Sequence, residues 1–483
     1  MKSNNTTSPS GGLKVVKSSF WGIAANGLQS ILLSLAFLIQ ARQYDKSIFA
    51  PFLIATNVYQ LLAAFSTLGL GQWFTRELIK TDNSTSLVNK FLKMQLFSGL
   101  FFYAVNVVMA WGLYNDALIL QLAIILGMNV IFDNFIYGIR SLNIAEFRQQ
   151  KTFTVLLIDS LLKFFASCIL LFVSVDIVLF ALILIVLRFL TLNLFISYGT
   201  SKTVNVLRLM AHKISLQEIK AIVQTNWAFI IIGSVSILYW RVGNLIISKM
   251  LNAEAVADYE ASYRIFSFAL ILPMIVSTTV FPQLVTLQKE GNHSKLVSYF
   301  EKAFQLFLLY GLLAFTFMYS FAPYLVPLFF GQQYGDNVDS TIQMFLAVLV
   351  FPTVLLQANM LVALHKEKAD MWLNIVALFV NVICAIGGIL IFKSLIGVNL
   401  AIFFSFLVFH MLQDWLLYRM KISSLKNIAK FYLITAAAIG CYVVASWYLH
   451  PILLYICFWV MIGIIFIKAN NGLQQVKQIF KRS

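Results

Sequence analysis

WAFIIIGSVSILYWRVGNLIISKMLNAEAVADYEASYRIFSFALILPMIVSTTVFPQL (Trp227–Leu284) holds two apolar runs joined by a short polar turn, and each run is long enough for a membrane-spanning helix. Each carries one arginine among apolar neighbours, Arg241 in the first and Arg264 in the second. A charged side chain in hydrocarbon costs at least ~2.5 kcal/mol, so it turns toward a bundle interior or a water-filled cavity. The polar spacing shows which face that is. Ser234, Arg241, Asn244 and Ser248 share one side of the first run, and Glu260, Tyr263, Arg264 and Ser267 share one side of the second. At a 1.5 Å rise per residue, both arginines lie roughly 10–12 Å inward of the outer helix ends, where one anionic group can meet both. For Arg264 the alternative is a structural ion pair with Glu260, one turn earlier. Arg241 has no acid three or four residues away on its own helix.

The rest of the chain shares this character. Of its 483 residues, 60% are hydrophobic and only 11% charged, and the mean hydropathy is +0.85. A water-soluble domain cannot bury that much apolar surface. Fourteen runs qualify as spans, at about 20–40, 49–71, 91–113, 117–140, 152–174, 177–198, 222–248, 256–281, 301–322, 341–363, 371–392, 397–418, 429–448 and 451–468. The first follows a polar segment with Lys14 and Lys17; it is too long for a signal-peptide core and is expected to be retained. The four cysteines (Cys168, Cys384, Cys441, Cys457) sit inside apolar runs, as small core residues rather than a disulfide or zinc set.

Orientation follows from the positive charges. With the N-terminus in the cytoplasm, inside segments hold 27 of the 35 lysines and arginines. Outside segments hold four (Arg42, Lys46, Lys249, Lys393), and four lie within spans (Lys163, Arg188, Arg241, Arg264). Both ends are then cytoplasmic. The net charge of +16 is thereby a topology signal, helped by anionic lipid heads, and not the stripe of a nucleic-acid binder.

The hairpin has an earlier copy. Ser19–Gln60 parallels Asn226–Phe266: a tryptophan near the start, a long apolar run, a basic residue near its outer end, a polar turn and a second run. Six helices separate the copies, so both enter from the same side, as in parallel transporter repeats. The expected fold is an all-α polytopic membrane protein. Two six-helix lobes, 1–221 and 222–420, are related by a pseudo-two-fold along the membrane normal, followed by two further transmembrane helices and a cytoplasmic tail at 421–483.

Other spans carry polar residues with two readings each. Asn26, Gln29, Ser30 and Gln40 in span one, and Asn57 and Gln60 in span two, suit either sugar hydroxyls or interhelical bonding. Asp159 and Lys163 form an i,i+4 pair that is self-neutralised, or else a relay and substrate contact. Arg188 has Asp133 and Asn134 as candidate partners. His410 and Asp414 are read as packing residues in preference to a proton site. Pro273 and Pro352 fall inside spans, where each can bend a helix. The longest outside connection is expected at about Pro323–Ser340. No GxxxxGK[ST], HExxH, GxSxG or CxxC occurs, so neither an enzyme site nor a cofactor is expected.

Three stretches carry a family resemblance: FWGIAANGLQSILLSLAFLIQAR (Phe20–Arg42), FSTLGLGQWFTREL (Phe65–Leu78) and AVADYEASYRIFSFALILPMIVSTTVFPQL (Ala255–Leu284). With the fourteen spans and the repeat, the chain resembles the polysaccharide-export and O-antigen flippase branch of the multidrug/oligosaccharidyl-lipid/polysaccharide (MOP) exporter superfamily. The resemblance implies two lobes around a cationic cavity lined by spans one, two, seven and eight. It implies passage of an undecaprenyl-pyrophosphate-linked oligosaccharide from the inner to the outer leaflet of the bacterial inner membrane. Partners would be that glycan lipid, membrane lipids, and a glycan polymerase and other assembly proteins. Arg241 and Arg264, helped by Arg42, Lys163 and Arg188, would hold the pyrophosphate, while Asn244, Asn26, Gln29, Asn57, Gln60 and Tyr263 contact sugars. Asp159 and Glu260 are candidates for ion coupling. The alternatives are a cation-coupled drug exporter of the same superfamily and a lipid II flippase; the latter carries more arginines on span one than the lone Arg42 here.

The topology predicts labelling by side. In a variant freed of its native cysteines, a cysteine replacing Lys393 should react with an impermeant maleimide in intact cells. One replacing Lys421 should react only after permeabilisation.

Overall fold

A computed structural model describes residues 9–80, 84–200, 209 and 215–470, and every regular element among them is helical. In chain order these are α1 (Pro9–Gln43), α2 (Lys46–Ser66), α3 (Gly71–Lys80), α4 (Ser84–Leu113), α5 (Ala117–Gly127), α6 (Asn129–Ala145), α7 (Gln149–Ile169) and α8 (Ile177–Leu194). There follow α9 (Leu216–Thr225), α10 (Trp227–Met250), α11 (Ala253–Lys289), α12 (His293–Phe330), α13 (Val338–Phe345) and α14 (Phe351–Ala363). The last four are α15 (Glu367–Phe392), α16 (Leu395–Arg419), α17 (Leu425–Ser446) and α18 (Pro451–Asn470). Eleven described segments are long and apolar enough to cross a membrane. This is the expected all-α, polytopic class. Helices are the outcome because hydrocarbon offers no partner for backbone N–H and C=O groups, so each span must satisfy its own.

The helix starts are written in short side chains. Asp116 accepts from the backbone N–H groups of Leu118 (2.8 Å) and Ile119 (3.1 Å) at the head of α5, and Asp176 does the same for Val178 and Leu179 at α8. Ser215 and Glu218 close a capping box at α9. Polarity is arranged inside out relative to a protein in water. Phe101, Trp111, Phe172, Phe379, Ile383 and Leu390 are exposed, while Asn106, Asn134, Asp159, Thr191, Asn399 and Gln413 are buried.

Four boundaries differ from the sequence expectation, each for a local reason. The second span stops at Ser66, because Leu68 (φ 53°) and Gly69 (φ 56°) take left-handed backbone and turn the chain into the separate amphipathic α3. The fourth span is two helices, α5 and α6, meeting at Met128. Pro352 does not bend the middle of a helix. It lies in the first turn of α14, where its missing N–H costs nothing, after a 3-10 turn at Leu346–Leu349. The expected outside connection at Pro323–Ser340 is shorter: α12 continues through Pro323 and Pro327 to Phe330, and Gly331 (φ 90°) then admits a 3-10 turn, Gln332–Asn337. Pro273 lies within α11, which runs unbroken to Lys289.

The chain divides into two compact units, Met1–Arg264 with Asn374–Ala401, and Ile265–Leu373 with Ile402–Ser483. In the first, α1 packs on α7, α4 on α6, and α2 on both α5 and α10. Its core includes Leu70, Phe74, Phe91, Phe135, Ile139 and Phe195. In the second, α12 packs against α13, α14, α17 and α18, over a core that includes Leu284, Phe300, Phe307, Leu356 and Leu417.

Within the first unit, α15 and α16 touch backbone to backbone at Gly388 and Gly397. A Cβ on Gly388 would lie 2.6 Å from the Gly397 Cα, whereas one on Gly387 meets nothing within 4 Å. Gly388→Ala should therefore lower the thermal unfolding midpoint in detergent, through overpacking of roughly 1–3 kcal/mol. Gly387→Ala should leave it unchanged or raise it slightly.

Candidate functional site

The two polar stripes of Trp227–Leu284 fold against the second helix of the chain. Arg241 and Asn244 are three residues apart on α10, Glu260 and Tyr263 three apart on α11, and Asn57 faces them from α2. Arg241 Nη1 donates to Asn57 Oδ1 (2.8 Å) and to Glu260 Oε1 (3.1 Å). Asn244 Nδ2 donates to the same two oxygens, at 3.2 and 2.7 Å. The guanidinium also sits over the Tyr263 ring, 5.7 Å from its centroid. Glu260 is 2% exposed, so its charge is held by these donors and not by water. Arg264, the next residue after Tyr263, lays its guanidinium over Phe37 of α1 at 4.5 Å.

Beside this cluster runs a narrow crevice lined by Asn57, Leu61, Tyr114, Arg241, Asn244 and Ser248, among others. Tyr114 lies between α4 and α5 and shares a 2.6 Å hydrogen bond with Ser248. Burial raises its hydroxyl pKa above the ordinary value, and the bond to Ser248 offsets part of that. Asn244 Oδ1 and Gln60 Oε1 are buried acceptors without a hydrogen-bond partner. The site thus offers a guanidinium, a carboxylate and amides at one place.

A second cluster draws on three helices. Arg188 of α8 donates through Nε to Asp133 of α6 (2.7 Å), forms an ion pair with it through Nη2, and donates through Nη1 to Asp159 of α7 (3.3 Å). Lys163 donates to Asp159 at 3.0 Å, and Thr191 donates to its other oxygen at 2.7 Å. Two cations meet two carboxylates, and Asp159 is fully buried. Arg140 of α6 lies near enough to Asp133 and Arg188 to act on both through charge.

The structure therefore brings together Asn57, Arg241, Asn244, Glu260 and Tyr263, and gathers Asp159, Lys163 and Arg188 elsewhere. Glu260, which the sequence sets one turn from Arg264, accepts hydrogen bonds from Arg241 and Asn244. Arg42 is exposed near the end of α1, Gln29 is half-buried on the same helix, and Gln60 lies on α2. The side chain of Asn26 lies outside the described residues. Sequence reasoning missed Tyr114 and Thr191. Thr191 stands three residues after Arg188, a spacing that signals a shared face; Tyr114 carries no such signal.

Comparison with known proteins places this geometry. Residues 41–339 match the model of a family described as polysaccharide biosynthesis protein, and the chain belongs to that family. No curated protein sequence matches. Among solved structures, the lipid II flippase MurJ in an inward closed conformation is similar with a TM-score of 0.74 at 14% identity, covering 94% of this chain and 99% of that one. A multidrug resistance MATE family transporter of the MOP superfamily, facing inward, is similar with a TM-score of 0.66 at 16% identity over 84% and 99%. A MOP superfamily transporter from Pyrococcus furiosus gives 0.55 at 16% over 86% and 96%. At these identities the likeness is one of fold alone, the fold that these membrane transporters share.

Removing one member of a buried ion network leaves an unmatched charge, at a cost of about 3–5 kcal/mol. Asp159→Ala should accordingly lower protein level and thermal stability sharply. Asp159→Ala combined with Lys163→Met should recover much of both.

Proposed function

We propose that the chain carries a polyprenyl-pyrophosphate-linked oligosaccharide, a repeat unit of O-antigen, capsule or exopolysaccharide, from the inner to the outer leaflet of the bacterial cytoplasmic membrane. The observation behind this reading is the Arg241 cluster, buried in a member of a polysaccharide biosynthesis family. Arginine presents a planar fork that matches phosphate oxygens in pairs. Simply pulling Glu260 away would strand a buried guanidinium, whereas a pyrophosphate taking the place of the carboxylate keeps Arg241 paired. Anion binding is then an exchange of partners, with Arg264 adding a second positive charge. The amides of Asn57, Gln60 and Asn244 suit sugar hydroxyls, and Tyr263 offers a ring face.

Lys163 and Arg188 take no part in this reading, since Asp133 and Asp159 already match their charge. Arg42, exposed near the end of α1, would serve only at the entrance to the outer side. The repeat lobes 1–221 and 222–420 would alternate access to the two leaflets, with both termini in the cytoplasm. MurJ is named for flipping lipid II, also a lipid-linked saccharide, which makes the substrate class proposed here a close chemical neighbour.

Measured per molecule of folded protein in the membrane, Arg241→Ala should cut surface glycan roughly ten- to a hundredfold, the equivalent of the ~1.5–3 kcal/mol of a hydrogen bond to a charged group. Arg241→Lys should keep a part of it, because the charge stays and the fork is lost. Unchanged glycan in Arg241→Ala, measured by gel and lectin blot, overturns the reading.

A further inference from the structure

The second unit holds a titratable group that the transport reading does not use. His410 and Asp414, one turn apart on α16, are almost wholly buried together with Gln357 of α14. Asp414 Oδ1 accepts from Gln357 Nε2 (2.6 Å), and Oδ2 accepts from the Tyr432 hydroxyl of α17 (2.9 Å). His410 Nδ1 lies 2.7 Å from the Tyr432 oxygen and 3.0 Å from Asp414 Oδ2.

These contacts fix the tautomer. The Tyr432 proton goes to Asp414, so the Tyr432 oxygen can only accept, and Nδ1 must carry the hydrogen. The other ring nitrogen, Nε2, is then a bare lone pair. It is buried and has no hydrogen-bond partner. Buried polar atoms are rarely left so, and an unfilled acceptor beside a carboxylate is where a proton can be taken up. Protonation at Nε2 turns the imidazole into a cation whose charge Asp414 already balances.

The surroundings favour a discrete site. Phe431 stacks on the imidazole at 4.6 Å, and Phe304 lies at 5.9 Å, which keeps bulk water from the ring. Asp414 itself lines a groove between α12, α17 and α18, whose wall also carries Glu301, Ser423, Asn427 and Lys430. Asn427 and Lys430 are exposed on that wall, and the rest of the lining is mostly apolar, with Leu308, Leu312 and Ile434 among it. The charged groups around the pair are few. Glu301 of α12 accepts from Asn427, Asp370 of α15 accepts from Gln413, Lys430 stands on α17, and α18 contributes Ile462 and Ile465.

We propose that His410, Asp414 and Tyr432 form a proton-binding site that couples proton uptake to the transport cycle, at a place separate from the Arg241 cluster. The coupling half of this proposal rests on the transport reading above; the binding half does not. Proton uptake changes the net charge of the buried pair from negative to neutral, which alters its hold on Gln357 of α14 and Tyr432 of α17. Helices α14, α16 and α17 are thereby tied to one titration.

The test uses the full chain in nanodiscs, labelled with ring-13C histidine, with the His410 resonance assigned by its loss in His410→Gln. The resonance should move between two plateaus as the pH is lowered across the range in which the protein stays folded. Asp414→Asn and Tyr432→Phe should each displace the midpoint. A resonance fixed in one state across that range overturns the proposal. In cells, His410→Gln should slow surface-glycan assembly roughly tenfold at normal protein level, within the usual span of coupling between two sites. Glycan lost in Arg241→Ala but unchanged in His410→Gln overturns the coupling and leaves the flippase reading intact. A titrating His410 with unchanged glycan in Arg241→Ala supports the proton site and removes the flippase reading.

Discussion

A charge placed in hydrocarbon has to bring its counter-charge with it, and this constraint shapes the interior of the chain. Arg188 and Lys163 meet Asp133 and Asp159, and Arg241 meets Glu260. The solutions differ in one respect. In the Arg188 network each carboxylate meets a cation directly, and Thr191 donates to the remaining oxygen of Asp159. The Arg241 cluster sets two arginines of neighbouring helices around one carboxylate, with Tyr263 and Phe37 as ring faces and amides as neighbours. The Arg188 network holds α6, α7 and α8 together. The Arg241 cluster ties α2, α10 and α11 together through one amide oxygen and one carboxylate oxygen.

The same constraint explains how a fold persists at 14–16% identity. A span needs apolar residues outside, a self-satisfied backbone and matched charges inside, and many sequences meet those terms. What such likeness carries is the architecture. Substrate chemistry is set by sites grafted on a fold, and the fold-level likeness carries none of it.

Much of the fold was legible because hydrocarbon thickness sets span length, and each expected run contains a helix. The breaks were harder to read. Leu68 in left-handed backbone has no signature in a leucine, and Pro352 looks the same inside a span whether it bends a helix or begins one. Pro323 and Pro327 suggested an end, yet α12 passes through both. The candidate site was half legible. Periodicity put Arg241 with Asn244 and Glu260 with Tyr263 on single faces, since one helix fixes its own geometry. It could not say that Asn57 would share both donors, nor that Glu260 would bond to Arg241 of the preceding helix. Those pairings belong to packing between helices, and no spacing along the chain encodes them. Of the two readings the sequence left for Asn57, the structure shows the interhelical bond, to Arg241.

The Arg188 network has a consequence for how the protein is made. Helix α7 carries Asp159 and Lys163 one turn apart, so it can enter the bilayer already neutralised. Helix α6 carries Asp133 and α8 carries Arg188, and each owes its partner to the other. Synthesis delivers Asp133 first and Arg188 last, with the α7 pair between them. The Arg188 fork that joins Asp133 to Asp159 is therefore the last part to be made, and the network closes only once α8 is in place. The network that ends as a static clamp begins as a rule of timing.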